Sequence, residues 1–369
     1  MITDQGGLFL TGVTGTLGQE MLKSLLEVPG SSPIYVLARK SRKLGAQERV
    51  LKLLEGSALT SAAVSRVKIL EGDVTLTDFG LSAADIQCLK KDVTRFFHVA
   101  ALTSLNGSKE DCEKINLGGT RNALALAEVL TREGKLQRFF YFSTAYAAGS
   151  RQKLHSLESE LPKNPVFANF YESSKYQAET LVREALAAGL KGMIFRPSIV
   201  VGNSQTGAVS QFNVIYPFVR LFAHGMLKLL PSRLDNSFNI VPIDFVVEAA
   251  LRISEQDEYP GRVFHLVTPK PPTVEMLLQI KAEEYQDFGE VELVDPDQFS
   301  RESLGDDQQF IFDMLLPYLG YLNDALTFDT QNTQEALDKI GLVFPETGLP
   351  FLRTLLRYAV DQGYLVPKV

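Results

Sequence analysis

The chain contains no tryptophan, only four histidines and only two cysteines among its 369 residues. Cys88 and Cys112 cannot build a disulfide framework, and the absence of a CxxC pair or of spaced histidines predicts no metal site. No apolar run approaches the ~20 residues that span a bilayer. No basic segment precedes the first apolar stretch, as it would in a signal peptide. Together these absences predict a cytoplasmic protein without a membrane span or a structural metal.

The sequence also lacks a strong excess of charge of either sign. The 37 basic and 44 acidic residues give a formal charge of −7, which disfavours nucleic acid as a partner. A composition that is 45% hydrophobic and 22% charged is that of an ordinary globular protein and excludes a disordered or collagen-like chain. The length favours two domains.

Short apolar runs alternate with helical patterns over the first 200 residues. The runs lie at 8–11, 34–38, 67–70, 95–100, 139–143 and 193–197. This alternation predicts an α/β fold of the Rossmann type, with a doubly wound parallel sheet covered by helices on both faces. We interpret 8–11 as the first strand and 15–28 as the first helix, which Pro29 and Gly30 end.

The pattern changes after Pro197. Residues 1–200 are predicted to form the dinucleotide-binding domain, with a return of the chain near 239–252, and residues 201–369 a smaller, mostly helical substrate lobe. The apolar segment 212–230 either lines a substrate channel or belongs to the core or to a subunit contact. The sequence leaves the oligomeric state open.

A glycine-rich segment directly follows the first predicted strand. Residues 11–18 read Thr-Gly-Val-Thr-Gly-Thr-Leu-Gly, a spacing that differs from the usual Gly-x-Gly-x-x-Gly. Glycines let the backbone turn tightly and approach a pyrophosphate, and the N-terminus of the next helix supplies unpaired N–H groups. The position of the segment therefore predicts dinucleotide binding rather than a turn without a ligand. The predicted contacts are Gly12, Thr14, Gly15, Thr16, Leu17 and Gly18.

The residues after the second strand indicate which dinucleotide binds. NAD enzymes carry an acid there, roughly twenty residues past the glycines, that binds the ribose 2′-hydroxyl. Segment 37–43 instead has four cations and no carboxylate. Because a guanidinium matches phosphate oxygens, we predict NADP(H), with Arg39 as the main contact and Arg42 as a second one. The alternative is a solvated basic helix start. Asp73 is expected near the adenine edge.

Tyr171 and Lys175 are four residues apart, so both lie on one face of a predicted helix. Asn169 is a suitable N-cap for this helix, with Glu172 three residues later. We expect the ammonium to lower the pKa of the phenol, so that Tyr171 exchanges a proton near neutral pH. The alternative is an exposed pair on a helix surface.

Two further polar positions accompany this pair. Ser143 and Thr144 end the fifth predicted strand, at the sheet edge where ligands of parallel sheets bind, and a hydroxyl there can stabilise charge on a carbonyl oxygen. Asn116 lies in a helical stretch beside Gly118 and Gly119, whose cost in a helix indicates close packing.

The glycine motif, Asn116, Thr144, Tyr171 and Lys175 together resemble the extended short-chain dehydrogenase/reductase superfamily. Within it, the chain is most similar to thioester reductases and fatty acyl reductases, including the terminal reductase domains of peptide synthetases and the reductase domains of carboxylic acid reductases. The likeness covers most of the chain. The segments that carry it are 142–144, 169–175, 196–202, 241–244 and 328–330.

The resemblance implies NADPH-dependent reduction of a carrier- or CoA-bound acyl thioester to an aldehyde, or further to an alcohol. Thr144 would polarise the carbonyl and Tyr171 would donate the proton. Lys175 would hold the nicotinamide ribose, and Asn116 would support the helix and a proton relay. An acyl or peptidyl carrier protein would present the substrate in trans. Further cofactor contacts are expected at Val74, Ala100, Ala101, Tyr171, Lys175, Pro197 and Ser198.

Two other functions remain open from the sequence. The first is another enzyme of the superfamily, such as a nucleotide-sugar epimerase or dehydratase or a ketone reductase. A sugar-nucleotide enzyme is expected to use NAD, which the basic segment around Arg39 disfavours. The second is a non-catalytic NADP-sensing protein, which loss of Tyr171 or Lys175 would have favoured.

Overall fold

A computed structural model describes residues 6–55, 59–149, 154–213, 215–284, 291–323 and 326–365. Its strands are β1 (Gly7–Thr11), β2 (Ile34–Ala38), β3 (Val67–Glu71), β4 (Val93–His98), β5 (Arg138–Phe142), β6 (His155–Ser156), β7 (Gly192–Pro197), β8 (Ile199–Val201), β9 (Leu229–Pro231), β10 (Ile240–Pro242), β11 (Val263–Leu266), β12 (Glu292–Val294) and β13 (Thr327–Phe328). Its helices are α1 (Thr16–Glu27), α2 (Ala46–Leu54), α3 (Ser61–Ser65), α4 (Ala83–Asp92), α5 (Lys109–Cys112), α6 (Gly119–Glu133), α7 (Phe170–Ala187), α8 (Ile215–Ala223), α9 (Ile243–Ser254), α10 (Val274–Glu284), α11 (Asp306–Leu322), α12 (Gln331–Ile340) and α13 (Leu349–Asp361). Within these ranges, none of the helices combines the length and the apolarity that crossing a bilayer requires.

Seven of the described strands form one parallel sheet in the order β11-β7-β5-β4-β1-β2-β3. Counted along the chain, the first six follow the 3-2-1-4-5-6 order of the Rossmann fold, and β11 adds a seventh strand beside the sixth. The order reverses between β1 and β4, which is the position where such sheets bind ligands. The predicted α/β fold is thus confirmed.

Successive residues of the strands supply the cores on the two faces of this sheet. Leu8 and Leu10 of β1 pack with α1, α2, α9 and α12, whereas Phe9 packs with α4, α6 and α7 on the opposite face. Aromatic rings extend each core across neighbouring strands: Phe96 contacts Phe139 edge to face at 5.1 Å between ring centres. The described helices cover both faces of the sheet, so a ligand reaches it at the ends of the strands.

A second core lies beyond the carboxyl ends of the strands. Helices α8, α10, α11 and α13 build it around Phe218, Leu315 and Leu355. The division of the chain into residues 1–200 and 201–369 stays a proposal. The return of the chain to the sheet extends beyond 239–252, because β11 pairs with β7 and α12 packs against α9 and β11. Val214, in the apolar segment 212–230, lies outside the described residues.

Candidate active site

A cavity of about 600 Å³ opens at the carboxyl ends of β1, β4, β5 and β7 and extends beneath α11. This volume is typical of ligand sites. The structure brings most of the predicted residues to its wall. Those lining it are Gly12, Thr14, Gly15, Thr16, Leu17, Gly18, Arg39, Val74, Ala100, Ala101, Thr144, Tyr171, Lys175, Pro197 and Ser198. Asn116, Arg42 and Asp73 do not line it.

The glycine turn at one end of the cavity has two glycines that the fold itself requires. Gly12 has φ +80°, and a Cβ there would lie 2.6 Å from the amide nitrogen of Ala100. A Cβ at Gly18 would lie 2.2 Å from the carbonyl oxygen of Gly12. Gly15 is different, because a Cβ there meets only that oxygen, at 3.4 Å. The protein's own packing therefore does not require a glycine at position 15.

Helix α1 begins at this turn without a side-chain cap. Gly15 is its N-cap, no capping side chain of the described residues bonds its first amides, and its first turn has no acidic residue. Its N–H groups and partial positive charge are thus available to an anion such as a pyrophosphate. The buried Ser198 hydroxyl, also at the cavity wall, has no hydrogen-bond partner among the described residues, so a ligand can supply one. These features fit a dinucleotide.

Thr11 and His98 join the ends of β1 and β4 below the turn. The Thr11 hydroxyl lies 2.9 Å from Nδ1 of His98 and accepts from the amides of Val99 and Ala100 at 3.3 Å. Burial, together with the charge of Lys175, lowers the pKa of His98 to about 3. The imidazole is therefore neutral and serves to fix the backbone that Gly12 approaches.

The basic segment after β2 reaches the cavity through Arg39 alone. Arg39 Nη1 lies 3.3 Å from Asp73 Oδ2, and the Arg39 side chain is 58% exposed. Asp73 thus lies beside the cavity wall as the partner of Arg39. Burial raises the pKa of Asp73, but the Thr75 amide and Arg39 lower it overall. Arg42 is exposed and lies away from the wall, because the Ser41 side chain and backbone turn the chain back at Leu44.

Helix α7 positions the predicted proton-transfer pair. The Asn169 side chain accepts from the Glu172 amide at 3.0 Å, so the predicted N-cap is confirmed. Tyr171 and Lys175 then lie on one face of the helix, with Glu179 a further turn along. Tyr171 is half-buried at the cavity wall, and Lys175 is fully buried.

The expectation that Lys175 lowers the pKa of Tyr171 is wrong for this structure. The Lys175 ammonium donates instead to the Tyr141 hydroxyl at 2.7 Å and to the Phe142 carbonyl at 2.6 Å. Burial raises the pKa of Tyr171 to about 12, opposed by a hydrogen bond from Thr144. Burial lowers the pKa of Lys175 to about 7, although Glu179 opposes this change. Tyr171 therefore stays protonated at neutral pH, which is the state a proton donor needs.

β5 ends at Phe142, so Ser143 and Thr144 follow the strand instead of ending it, and Thr144 faces Tyr171. Its hydroxyl caps the short turn Ala145–Ala148 by accepting from the Tyr146 amide at 3.3 Å, and it lies 3.5 Å from the Pro197 carbonyl. With the bond to Tyr171, two hydroxyls meet at one point of the cavity wall. Such a pair can hold a carbonyl oxygen from two sides.

Asn116 acts at a distance from the cavity. It lies in a π-helical turn, Glu113–Gly118, and is 1% exposed. Its side-chain amide accepts from the Leu102 amide at 2.7 Å and donates to the Leu102 carbonyl at 3.0 Å and to Ser174 Oγ at 2.9 Å. Ser174 in turn donates to the Tyr171 carbonyl. Asn116 thus positions the loop after β4 relative to the first turn of α7.

The sequence prediction missed a buried ion pair behind Lys175. Glu179 and Arg196 are both 0% exposed and lie 2.6 Å apart. Burial raises the pKa of Glu179, but Arg196 lowers it to about 2. Arg196 also lies 3.0 Å from Nε2 of His265 on β11. The sequence showed only that Glu179 lies one helical turn after Lys175 on α7. It did not show the ion pair, because Arg196 lies on β7 and His265 on β11.

Four tyrosines at the lobe side of the cavity were also missed: Tyr146, Tyr216, Tyr318 and Tyr321. The Tyr321 hydroxyl donates to Glu172 at 2.6 Å, beside Tyr171, and its ring meets that of Tyr146 edge to face at 4.7 Å. The apolar segment 212–230 fills both of its predicted places, since Tyr216 and Pro217 line the cavity while Phe218 and Phe222 lie in the core.

A Rossmann sheet, an uncapped glycine turn and a Thr–Tyr–Lys group at the strand ends define a nicotinamide-dependent oxidoreductase of the extended short-chain dehydrogenase/reductase type. The chain belongs to the family of NAD-binding domains described as male sterility proteins, which matches residues 10–250. The resemblance inferred from the sequence motifs is confirmed.

Two relatives, which are proteins of different kinds, match nearly the whole chain. A nonribosomal peptide synthetase, asaC, of Aspergillus flavus is 28% identical over 98% of this chain and 37% of its own length. The large subunit of L-2-aminoadipate reductase from Eremothecium gossypii is 27% identical over 97% of this chain and 27% of its own. The chain thus spans about a third of the length of these relatives. The crystal structure of the terminal R domain from the myxalamid PKS-NRPS biosynthetic pathway is 27% identical, with a TM-score of 0.83 over 98% of this chain and 92% of that one.

Proposed function

We propose that the chain reduces an acyl thioester with NADPH, releasing a thiol and an aldehyde. The observation that carries the proposal is that Thr144, Tyr171 and Lys175 line the same cavity as the glycine turn. The names of the matched relatives, a peptide synthetase and an aminoadipate reductase, support it. An acyl or peptidyl carrier protein presents the thioester in trans.

The residues that hold the cofactor are the glycine turn, Arg39 and the strand ends. The α1 amides bind the pyrophosphate, and Arg39 binds the 2′-phosphate with the guanidinium nitrogens that Asp73 leaves available. This is why we propose NADP(H) rather than NAD(H). When bound, the cofactor supplies the hydride that reduces the thioester carbonyl carbon.

The chain's own side chains handle the oxygen and its proton. Thr144 and Tyr171 donate to the carbonyl oxygen and stabilise the negative charge that develops on it. Tyr171 then gives up its phenolic proton to that oxygen. The resulting hemithioacetal loses its thiol and leaves an aldehyde, so that thioester, NADPH and one proton yield aldehyde, thiol and NADP⁺. A second hydride transfer, to the aldehyde, would give an alcohol.

The nucleotide-sugar alternative needs cations for a second diphosphate. Among the described residues that line the cavity, only Arg39 and Lys175 are charged, and Lys175 is engaged by Tyr141 and Phe142. Arg39 is assigned to the 2′-phosphate and Lys175 is engaged by β5, so neither is available for a second diphosphate. This supports the thioester over the sugar nucleotide.

NADPH absorbance tests the proposal directly. The protein is mixed with NADPH and acyl-CoA, acyl-pantetheine or a UDP-sugar, and aldehyde is trapped with a hydrazine reagent. We expect NADPH to decay with a thioester and aldehyde to accumulate with free thiol. If no thioester oxidises NADPH, or if only the sugar nucleotide is converted, the proposed function is wrong.

A further inference from the structure

The part of the cavity over Thr144 and Tyr171 carries no charge of its own. Among the described lining residues, Arg39 lies at the opposite end beside the glycine turn, and Lys175 is fully buried against β5. The remaining described lining residues are all uncharged: they include the four lobe-side tyrosines, aliphatic residues, and hydroxyl and amide side chains such as Thr103, Ser104, Asn106, Gln211 and Asn213. A charged group on the substrate would lose its water there without gaining a counter-ion, which is costly.

Three of the four lobe-side tyrosines are held in place by the protein. The Tyr146 hydroxyl donates to the Asn239 carbonyl at 3.3 Å, and the Tyr321 hydroxyl donates to Glu172 at 2.6 Å. The Tyr216 hydroxyl accepts from the Gly202 amide at 3.0 Å. These rings form fixed walls on either side of the reacting groups.

Tyr318 differs from these three in what lies behind it. It precedes Tyr321 by one turn on α11 and donates no hydrogen bond to any residue that the structure describes. Tyr318 lines both the main cavity and a small hollow of about 10 Å³, as Tyr321 and Ile199 also do. The other sides of the hollow are apolar and are formed by Ile215, Phe218, Phe238 and Leu322. Of the two tyrosines at this boundary, Tyr318 is thus the one whose hydroxyl makes no described hydrogen bond.

We propose that this part of the cavity takes an uncharged acyl chain and that the Tyr318 ring is the stop that limits its length. The inference rests on the proposed thioester reduction and adds its substrate class. An acyl chain that starts at Thr144 and runs along Tyr146 and Tyr321 reaches Tyr318 next. A chain that is too long has to displace this ring, because the hollow behind it has room for no more than about one water-sized group.

The test uses a homologous series of straight-chain acyl-CoA thioesters and, for one of them, the analogue of equal length that ends in a carboxylate. kcat/KM is measured for the wild type, Tyr318→Ala, Tyr318→Leu and Tyr318→Phe, and NADPH binding is followed by fluorescence to confirm that each variant is folded. Tyr318→Phe is the matched control, because it keeps the ring and loses only the hydroxyl.

We expect Tyr318→Ala to raise kcat/KM about tenfold for thioesters longer than the wild-type optimum and to leave the shortest ones unchanged. Tyr318→Leu shifts the optimum in the same direction by less, and Tyr318→Phe leaves it in place. The wild type is expected to reduce the carboxylate-ended thioester at least about tenfold less efficiently than its neutral counterpart.

The possible failures are distinguishable. If the wild type reduces thioesters but the NADPH-binding variants at Tyr318 keep its chain-length profile, the stop is wrong while the proposed function stands. Equal kcat/KM for the charged and neutral thioesters overturns the uncharged-substrate inference and needs no variant. If no thioester in the series is reduced by a wild type that binds NADPH, the proposed function fails and the inference falls with it.

Discussion

The ammonium of Lys175 donates a 2.7 Å hydrogen bond to the hydroxyl of Tyr141 and lies 4.3 Å from the centre of that ring. Tyr141 belongs to β5 and is fully buried, and burial raises the pKa of its phenol. The contact joins the helix that carries Tyr171 to the strand that precedes Thr144. Lys175 is itself buried at this contact, and burial lowers its pKa to about 7.

This burial makes stability depend on pH in the cofactor-free protein. The pKa of Lys175 is lowered from 10.5 to about 7, so the unfolded chain binds more protons than the folded one between these values. The free energy of unfolding therefore gains up to about 1.4 kcal/mol per pH unit as pH rises through this window, and the gain is lost as pH falls towards 7. Lys175→Met removes this component.

Urea denaturation of the wild type and of Lys175→Met across the window measures the difference. We expect the stability of the variant relative to the wild type to fall steadily as pH rises. A difference that stays constant with pH would show that Lys175 does not change protonation on folding.

Replacement of the Tyr171 hydroxyl separates chemistry from binding. Tyr171→Phe is expected to lower kcat by about a hundredfold to ten-thousandfold, because a positioned proton donor contributes that much. NADPH affinity should stay near the wild-type value, since the ring remains. Stopped-flow turnover with a thioester and fluorescence titration with NADPH check the two quantities. Wild-type turnover in this variant would remove Tyr171 from the mechanism.

Two glycines of the same turn are expected to respond in different ways to alanine. Gly18→Ala places a Cβ 2.2 Å from the Gly12 carbonyl, so it should destabilise the fold by a few kcal/mol, roughly the range of severe core substitutions. Gly15→Ala meets only a 3.4 Å contact and should leave the thermal unfolding midpoint near wild type while NADPH binding is lost. Calorimetry and NADPH titration of both variants decide; tight NADPH binding by Gly15→Ala would show that no ligand approaches that residue.

The choice of cofactor is expected to depend on Arg39. Arg39→Ala should weaken NADPH binding by about ten- to a hundredfold, the equivalent of one charge-assisted hydrogen bond, and leave NADH binding almost unchanged. Arg42→Ala is the matched control, since this exposed arginine lies three residues away and outside the cavity wall. Equal losses for both cofactors in Arg39→Ala would rule out the contact with the 2′-phosphate.

The Asn116 side chain is expected to stabilise the fold by holding the loop after β4 in position. Asn116→Ala leaves the Leu102 amide and carbonyl unpaired inside the protein and should cost about 2 kcal/mol or more of stability. Ser174→Ala removes only one of the three bonds and should cost clearly less. Chemical denaturation of both variants gives the comparison. Equal losses would mean that the loop after β4 does not depend on the Asn116 amide.

Sequence patterns predicted the parts of the molecule that depend on neighbouring residues. The strand–helix alternation, the glycine turn and the Asn169 cap are local, and each is found where it was expected. The spacing of Tyr171 and Lys175 placed them on one face of α7, but it did not show that Tyr141 takes the lysine. Arg42 has the charge that a phosphate contact needs, but it does not line the cavity, which its position in the sequence did not show.

The substrate side of the site had no such signal. The Tyr321 hydroxyl bonds Glu172, which is 149 positions earlier in the chain, and Tyr318 lines the same cavity, so only the folding of the lobe brings these rings to the site. Glu179 and Arg196 are likewise paired through the sheet. The spacing of residues within a segment contains no information on such contacts. Most lining residues at the glycine turn and the strand ends were therefore predicted, whereas the tyrosines on the lobe side were not.

The late return of the chain to the sheet has a practical meaning for anyone who divides this protein. Helix α12 covers the outermost strand β11, and Arg252 of α9 bonds the backbone at Ile340. A fragment that stops near residue 200 would lack its seventh strand and the helical cover of an entire flank, leaving the edge of β7 bare. We expect such a fragment to expose apolar surface and to aggregate. The nucleotide-binding half is therefore not expected to fold as an independent domain.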